Sequence, residues 1–336
     1  MSHAPHKDHR RHKKGVILIN LGTPSAPTAK AVKRYLKEFL TDRRVIELPL
    51  FLWKIILYGI ILPIRSKKSA ANYAKIWDKT HNDSPLRYYL KSLQAKLSDQ
   101  FKDELIISAG MRYGEPSLQQ AVDELLKQQV GDITLLPLYP QYCAATTASA
   151  QDKFFDILLK MRWQPNFKVI GAYYDHPLYI STISNHLKSH LDSLKQPPDL
   201  IICSFHGMPK RTLELGDPYY CHAHKTARLI KESLKLDDDL FKLGFQSRFG
   251  PAKWLEPSID QLLADAIQKK LKHIVMIAPG FSFDCVETLE EISIGYREDF
   301  MEAGGVKFDY IPCLNDTEDA VSLYAALIKE TSRNAG

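Results

Sequence analysis

Two features of this chain carry residue types that can move protons and hold a divalent metal. The first is His206, which closes the apolar run 201–205 (Ile-Ile-Cys-Ser-Phe) and is followed by Gly207 and Pro209. A strand that ends in a sharp turn leaves such an imidazole at a sheet edge, where its neutral form can accept a proton or bind a metal. The competing reading is a satisfied structural histidine, the commoner fate of a lone imidazole after an apolar run. The second feature is the set Asp284, Glu287 and Glu291, with Glu290 flanking, which follows the apolar run 273–278 and the turn at Pro279 and Gly280. On a helix starting near Asp284 these positions share one face, a carboxylate stripe pointing out from the strand ends. Here the competing reading is capping, with Asp284 as N-cap and Glu287 completing a capping box at the positive end of the helix dipole. Capping leaves Glu291 unexplained, a turn further along.

An imidazole opposite a row of carboxylates offers nitrogen and oxygen ligands together with bases. Hard carboxylates hold such an ion loosely enough to pass it on, whereas a tight cage would trap it. No G-x-x-x-x-G-K-[ST] phosphate loop and no Gly-rich dinucleotide fingerprint occurs, so nothing points to nucleotide chemistry. Cys221, His222 and His224 invite a metal reading too, but one short helix cannot aim all three at one ion. A structural or surface role is expected for them.

The elements that must position these residues alternate strand with helix. Apolar, β-branched runs at 16–20, 105–109, 133–136, 169–173, 200–204, 241–245, 273–278 and 308–311 read as buried parallel strands. Helical stretches such as 118–129 and 259–270 lie between them, which predicts βαβ units in a doubly wound α/β fold. The second half echoes the first, four strands against four. Leu21-Gly-Thr-Pro24 is answered by His206-Gly-Met-Pro209, and Gly110-Met-Arg-Tyr-Gly-Glu-Pro116 by the segment starting Gly244-Phe-Gln-Ser-Arg248. Two similar lobes follow, 15–195 and 196–330, joined near Gln196-Pro-Pro198, with the last helix free to pack on the first lobe. Ligands of such sheets bind beyond the strand carboxyl ends, so the gap between the lobes is the expected site.

The lobes differ in one place. The spacing from Gly22 to Gly110 is more than twice that from Gly207 to Gly244, so the first lobe carries an insertion, about 45–80. Its apolar stretch 48–64 is broken by Pro49, Lys54 and Pro63 and sits at the short limit of a spanning helix, ~17–25 residues. A buried core helix, or an apolar lip over a greasy ligand or on a bilayer surface, are the two readings left. The formal charge of +6 is concentrated at the start, where Lys7, Arg10, Arg11, Lys13 and Lys14 face only Asp8. The near-neutral remainder excludes a nucleic-acid binder. Residues 1–14 read as a disordered tail whose His3, His6, His9 and His12 are either solvated or metal-capturing. Five scattered cysteines without a C-x-x-C pair fit a reducing compartment, and no secretory signal is visible.

Taken in order, 15–24 (G-V-I-L-I-N-L-G-T-P), 110–116, 139–142 (Y-P-Q-Y), 204–207 (S-F-H-G), 245–248 (F-Q-S-R), 254–257 (W-L-E-P) and 284–289 (D-C-V-E-T-L) resemble the ferrochelatase family. The resemblance runs from about residue 15 to about residue 326. That family inserts Fe(II) into a porphyrin as the closing step of haem synthesis. The resemblance implies two Rossmann-like lobes with parallel four-stranded sheets and no nucleotide. It also implies an ATP-independent lyase that converts protoporphyrin IX and Fe(II) to protohaem with release of two protons. By motif it assigns catalysis to His206, Glu287 and Asp284, and iron as substrate or in relay to His206, Glu287 and Glu291. The porphyrin cleft falls to Asn20, Leu21, Arg112 and Tyr113, with the insertion as upper lip. A cytoplasmic enzyme, often peripheral to the inner membrane, monomeric or homodimeric and without cofactor, is implied as well. No cysteine run for an iron–sulfur cluster follows the family segment, so none is expected, and Cys143 reads as a buried thiol. Cys285 stands where some relatives have histidine, a softer accessory ligand. An apolar lip favours protoporphyrin IX over the more acidic coproporphyrin III. Insertion of iron into coproporphyrin III, of cobalt or nickel into another tetrapyrrole, and non-catalytic haem or metal carriage are the rivals.

Overall fold

The structure, a computed structural model, describes residues 13–248, 250 and 252–333; the histidine-bearing segment 1–12 lies outside the described residues. Two parallel four-stranded sheets carry the fold, with the same strand order in each. The first contains β1 (Lys13–Thr23), β2 (Ile106–Gly114), β3 (Val130–Pro137) and β4 (Asn166–Val169), ordered β2-β1-β3-β4. The second contains β5 (Leu200–His206), β6 (Phe241–Gln246), β7 (His273–Ile277) and β8 (Lys307–Ile311), ordered β6-β5-β7-β8.

The helices follow the same plan. Between β1 and β2 run α1 (Ala29–Leu40), α2 (Leu50–Ile56), α3 (Leu62–Ile76) and α4 (Pro85–Phe101), the two middle ones joined by the π-helical turn Leu57–Ile61. Then come α5 (Leu118–Lys127), α6 (Ser149–Leu158) and α7 (Pro177–Ser193), which leads into the second lobe. There α8 (Lys210–Glu214), α9 (Tyr219–Leu234) and α10 (Ile259–Gln268) precede the π-helix Val286–Tyr296, and α11 (Arg297–Glu302) and α12 (Glu318–Arg333) complete the chain.

The internal duplication extends to single hydrogen bonds. Ser117 and Ser258 each cap the following helix in a full capping box, with Gln120 and Gln261 as partners. Met111 N donates to Pro116 O (2.7 Å), and Phe245 N to Pro257 O (2.8 Å). Gly22 and Gly207, which end the first strand of each lobe, both press against the neighbouring strand's backbone. A Cβ would lie 1.8 Å from Tyr113 O in the first case and 2.4 Å from Gln246 O in the second, so only glycine fits.

Several strand boundaries depart from the sequence pattern, β2 running on from 109 to Gly114 and β3 starting at Val130 instead of 133. β1 begins at Lys13, inside the segment read as tail, because Lys13 and Lys14 pair with Val130 and Asp132 of β3. β4 occupies 166–169 rather than 169–173. Its ladder to β3 ends at Leu135↔Val169, and the apolar Ile170 and Tyr173 are buried in the core instead of being paired as strand.

The main core is continuous across both lobes. It holds Val16 and Leu18 of β1, Leu90 and Leu93 of α4, Ile201 and Phe205 of β5, Val275 of β7 and Tyr324 of α12. The last helix, α12, lies against α4 and α7 of the first lobe, and Lys96 and Ser92 hold Asp316 just before it (2.9 and 2.5 Å).

The insertion is buried along one side and exposed along the other. Trp53, Leu57 and Leu62 point inward and are buried, with Trp53 Nε1 donating to Leu40 O (2.6 Å). Phe51, Leu52, Ile55, Ile60 and Ile64 point outward, Phe51 at 76% and Ile64 at 66% exposure. Among the described residues no helix is long and apolar enough to cross a bilayer.

Candidate active site

His206 stands at the carboxyl end of β5, half-buried, with its ring 6.5 Å from that of Phe281. Its Nδ1 lies 2.7 Å from Gly207 O. A carbonyl oxygen can only accept, so Nδ1 carries a proton, and the neutral form of such a ring has its lone pair at Nε2. The Tyr219 hydroxyl donates to His206 O (3.0 Å) and steadies the strand end. This is the arrangement of an imidazole prepared to take a proton or a metal at one defined nitrogen.

The acidic segment is arranged differently from the expected stripe. The helix starts at Val286, its N-cap is Cys285, and it is a π-helix throughout, closed by i→i+5 bonds. Asp284 falls before the cap and is 3% exposed. Its Oδ1 accepts from the Tyr310 hydroxyl (2.6 Å), Thr288 Oγ1 (3.1 Å) and Cys313 N (3.3 Å), and its Oδ2 from Asn315 Nδ2 (2.7 Å). A carboxylate so enclosed anchors the helix start to the segment after β8 and does not face an opening. The expected stripe of three is thereby corrected to two, since capping at Cys285 turns Asp284 inward.

Glu287 and Glu291 remain, four positions apart on the widened helix. Glu291 is heavily engaged: Ser247 N (2.8 Å) and the Tyr296 hydroxyl (3.1 Å) donate to its Oε1, and Ser247 Oγ (2.5 Å) and Gln246 Nε2 (3.1 Å) to its Oε2. Glu287 is half-buried and close to two phenols of the first lobe. Burial holds Tyr35 and Tyr73 well above the ordinary phenol range, and the Glu287 charge adds to this in both. They stay protonated, the Tyr35 hydroxyl donating to Gly22 O (3.3 Å), so neither adds a second negative charge beside Glu287. Glu290 turns to the lip instead, accepting from Asn72 Nδ2 and Lys75 Nζ of α3 (2.9 Å each). The lip and the acidic helix therefore form one wall, continued by Leu21, Val286, Leu289 and Ile294 packed on the core under α1 and α3.

His206 and Glu287 are linked through a residue outside the expected set. Gln246 pairs with His206 across the β5–β6 ladder, and its Nε2 donates to Glu287 O (2.9 Å). It stood in the quoted F-Q-S-R segment, but a polar residue inside an apolar strand gives no sign of its partner until the π-helix is in place. Among the described residues no three His, Cys, Asp or Glu side chains converge to hold a metal ion, so His206, Glu287 and Glu291 are not a preformed cage.

The first-lobe residues are closely tied. Asn20 is buried and its Oδ1 accepts from Leu21 N (2.7 Å). Arg112 lies over the Tyr113 ring, donates through Nε to Ser149 Oγ (2.7 Å), and pairs through a terminal nitrogen with Asp42. Tyr113 is fully buried, its hydroxyl donating to Asp42 Oδ2 (2.7 Å), so it supports the wall from behind. Burial alone would raise the Asp42 pKa, but Ser149, the Arg44 amide, Tyr113 and Arg112 together hold it below the usual carboxylate range.

Cys285, Cys143 and the pair His222 and His224 take structural places, while Cys221 is exposed. Cys285 is buried and its thiol is pushed well up by burial and then by the Glu287 charge, which makes a thiolate ligand unfavourable. Burial likewise raises the Cys143 thiol to about 12. His222 stacks on Tyr174 (3.6 Å between centroids) and accepts from Tyr142 N, while His224 lies against Tyr220.

This geometry has known relatives. The SirB structure from Bacillus subtilis with Fe3+ aligns at a TM-score of 0.55 and 10% identity, covering 96% of this chain and 97% of that one. The sirohydrochlorin chelatase SirB from Bacillus subtilis subspecies spizizenii, in complex with cobalt, aligns at 0.51 and 11%, with the same coverage. At such identities the likeness concerns the fold, a two-lobed α/β architecture of chelatase type. Sequence relatives are nearer. The ferrochelatases of Francisella tularensis subsp. novicida (strain U112) and subsp. tularensis (strain WY96-3418) are each 49% identical over 321 residues, 95% of this chain and 96% of theirs. A family model described as Ferrochelatase matches residues 13–332, which takes in both lobes, the histidine strand and the acidic π-helix: the chain belongs to the ferrochelatase family.

Proposed function

We propose that the protein inserts Fe(II) into protoporphyrin IX, forming protohaem and releasing two protons without nucleotide or cofactor. The observation that carries this reading is the His206 ring, whose Nδ1 hydrogen bond to Gly207 O leaves Nε2 as the acceptor at a strand end linked by Gln246 to the acidic π-helix. Metallation must remove two pyrrole N–H protons and strip water from the ion. His206 Nε2 takes a proton from the macrocycle. Glu287, with the protonated Tyr35 and Tyr73 beside it, passes the ion or the second proton, and Glu291 extends that acidic side. Holding the macrocycle bent between these walls turns the pyrrole nitrogen lone pairs out of the ring plane towards the incoming ion, a distortion shared with the transition state and not with the flat free base.

Substrate choice follows from the surroundings. The outward apolar residues of α2 and α3 suit a vinyl-bearing porphyrin stored in a bilayer, and Lys54, Lys67 and Lys68, all exposed, suit anionic headgroups. We place the lip on a membrane surface on these grounds, with the body in the cytoplasm. An open bay of about 580 Å³, lined by Lys210, Arg248, Lys253 and Trp254 together with the carboxylate Glu256, offers three cations against one anion to substrate propionates.

The test is anaerobic turnover of Fe(II) with protoporphyrin IX, followed by the absorption bands of the metallated product, with coproporphyrin III and Co(II) or Ni(II) run alongside. Many turnovers with Fe(II) and protoporphyrin IX are expected. Much higher kcat/KM with coproporphyrin III, or with another metal, would overturn the substrate assignment, and binding of one equivalent without turnover would make the protein a carrier.

A further inference from the structure

We propose that Gln246 is a positioning residue of the metallation site, whose side-chain amide sets the spacing between His206 and the acidic π-helix. The proposal rests on the metallation reading above. His206 and Glu287 belong to different elements, a strand end and a helix, so their separation is fixed by whatever bonds to both. Gln246 does so, by backbone and by side chain.

Its backbone holds the histidine. Gln246 closes β6 in register with His206. Gly207 N donates to Gln246 O (2.7 Å), and the missing Cβ of Gly207 is what lets that oxygen approach. The turn that exposes the imidazole is thus clamped on Gln246. Its side chain holds the helix. Ser204 Oγ donates to Gln246 Oε1 (2.6 Å), which orients the amide, because the oxygen accepts from β5 and the nitrogen is left to donate elsewhere. Nε2 then gives one hydrogen to Glu287 O (2.9 Å) and one to Glu291 Oε2 (3.1 Å). The residue is fully buried, so each of these bonds is made out of water and none is easily exchanged for solvent. No atom of Gln246 is directed to substrate; it acts through Glu287 and His206. A shift of ~1 Å between reacting groups costs on the order of 10²-fold in rate, which is the scale on which such a bracket matters.

The test uses the full-length protein with Gln246→Met, which keeps length and apolar volume but removes all three amide bonds. The expected result is a fall in kcat for metallation of about 10–100-fold, the range for outer partners of metal-site ligands, with KM for the porphyrin changed by less than about twofold. In a Glu287→Gln background the same substitution should cost less than about threefold, since both act on one step. Hydrogen–deuterium exchange should accelerate about tenfold in peptides spanning 286–296 and stay unchanged in β5–β8. Should Gln246→Met fold poorly, Ser204→Ala, which frees the amide to rotate, should lower kcat in the same direction by about threefold to tenfold. An unchanged kcat, losses that multiply in the double variant, or unaltered exchange over 286–296 would each overturn the proposal. A wild-type protein that does not metallate porphyrin would instead sink the functional reading, and the exchange measurement alone would then judge the bracket.

Discussion

The Gly207 carbonyl decides what His206 can do. It occupies Nδ1, and every functional statement about the imidazole follows from the lone pair left at Nε2. Replacing His206 with Ala should leave porphyrin binding, read by fluorescence quenching, within about threefold and lower kcat by ~10²–10⁴-fold, the usual worth of a positioned proton acceptor. Near-normal kcat would move proton acceptance elsewhere. Asp42 is the counterpart in the first lobe. Its folded pKa lies below its unfolded value, so its contribution to stability is complete above about pH 4 and is lost as pH falls through the folded pKa. Asp42→Asn leaves the Arg112 charge without its partner and should cost ~1–3 kcal/mol at pH 7. Denaturant titrations should show that penalty shrinking between pH 4 and pH 2; a penalty independent of pH would mean the charge is not what matters.

At the scale of elements, the lip and the π-helix depend on each other. The π-helix presents Glu290 to Asn72 and Lys75 on one side and Glu291 to Ser247 on another, which leaves Glu287 between them beside the phenols. The lip buries Trp53, Leu57 and Leu62 and leaves an apolar outer face unburied. Replacing Phe51, Ile55 and Ile60 together with Ser should lower co-sedimentation with anionic lipid vesicles at least tenfold, since each large apolar side chain buried in a bilayer contributes ~1.5–3 kcal/mol. The melting temperature should change little, because each of those residues is more than half exposed. Unchanged vesicle binding would remove the membrane from the account.

At the scale of the molecule, the two similar lobes share one core. β1 and α4 of the first and β5, β7 and α12 of the second contribute to the same buried cluster, and the Tyr179 hydroxyl donates to Pro279 O (2.7 Å) within it. Calorimetry and circular dichroism should therefore report a single coincident unfolding transition. Two resolved transitions would show that the lobes are energetically separate despite the shared core. At the rim, the exposed Arg211–Glu47 pair (3.1 Å) spans from α8 to the lip and contributes little to stability.

The linear chain determined the alternation of buried strands and amphipathic helices, the repeated glycine-turn motifs and the insertion, because burial, hydrogen-bond periodicity and turn sterics act over short stretches. It also marked His206 and the acidic run, since strand ends and helix starts are legible locally. The strand boundary at 166–169 was not legible, because pairing with β3, and not apolar content, ends that ladder. Nor was the division of labour among the carboxylates. Asp284 went to a buried anchor with Tyr310 and Asn315, Glu290 to α3 and Glu291 to Ser247, and each partner lies far along the chain. Side-chain charge is a property of sequence. Which charge is left facing an opening depends on what the rest of the fold has already bonded, and that only the packed lobes decide.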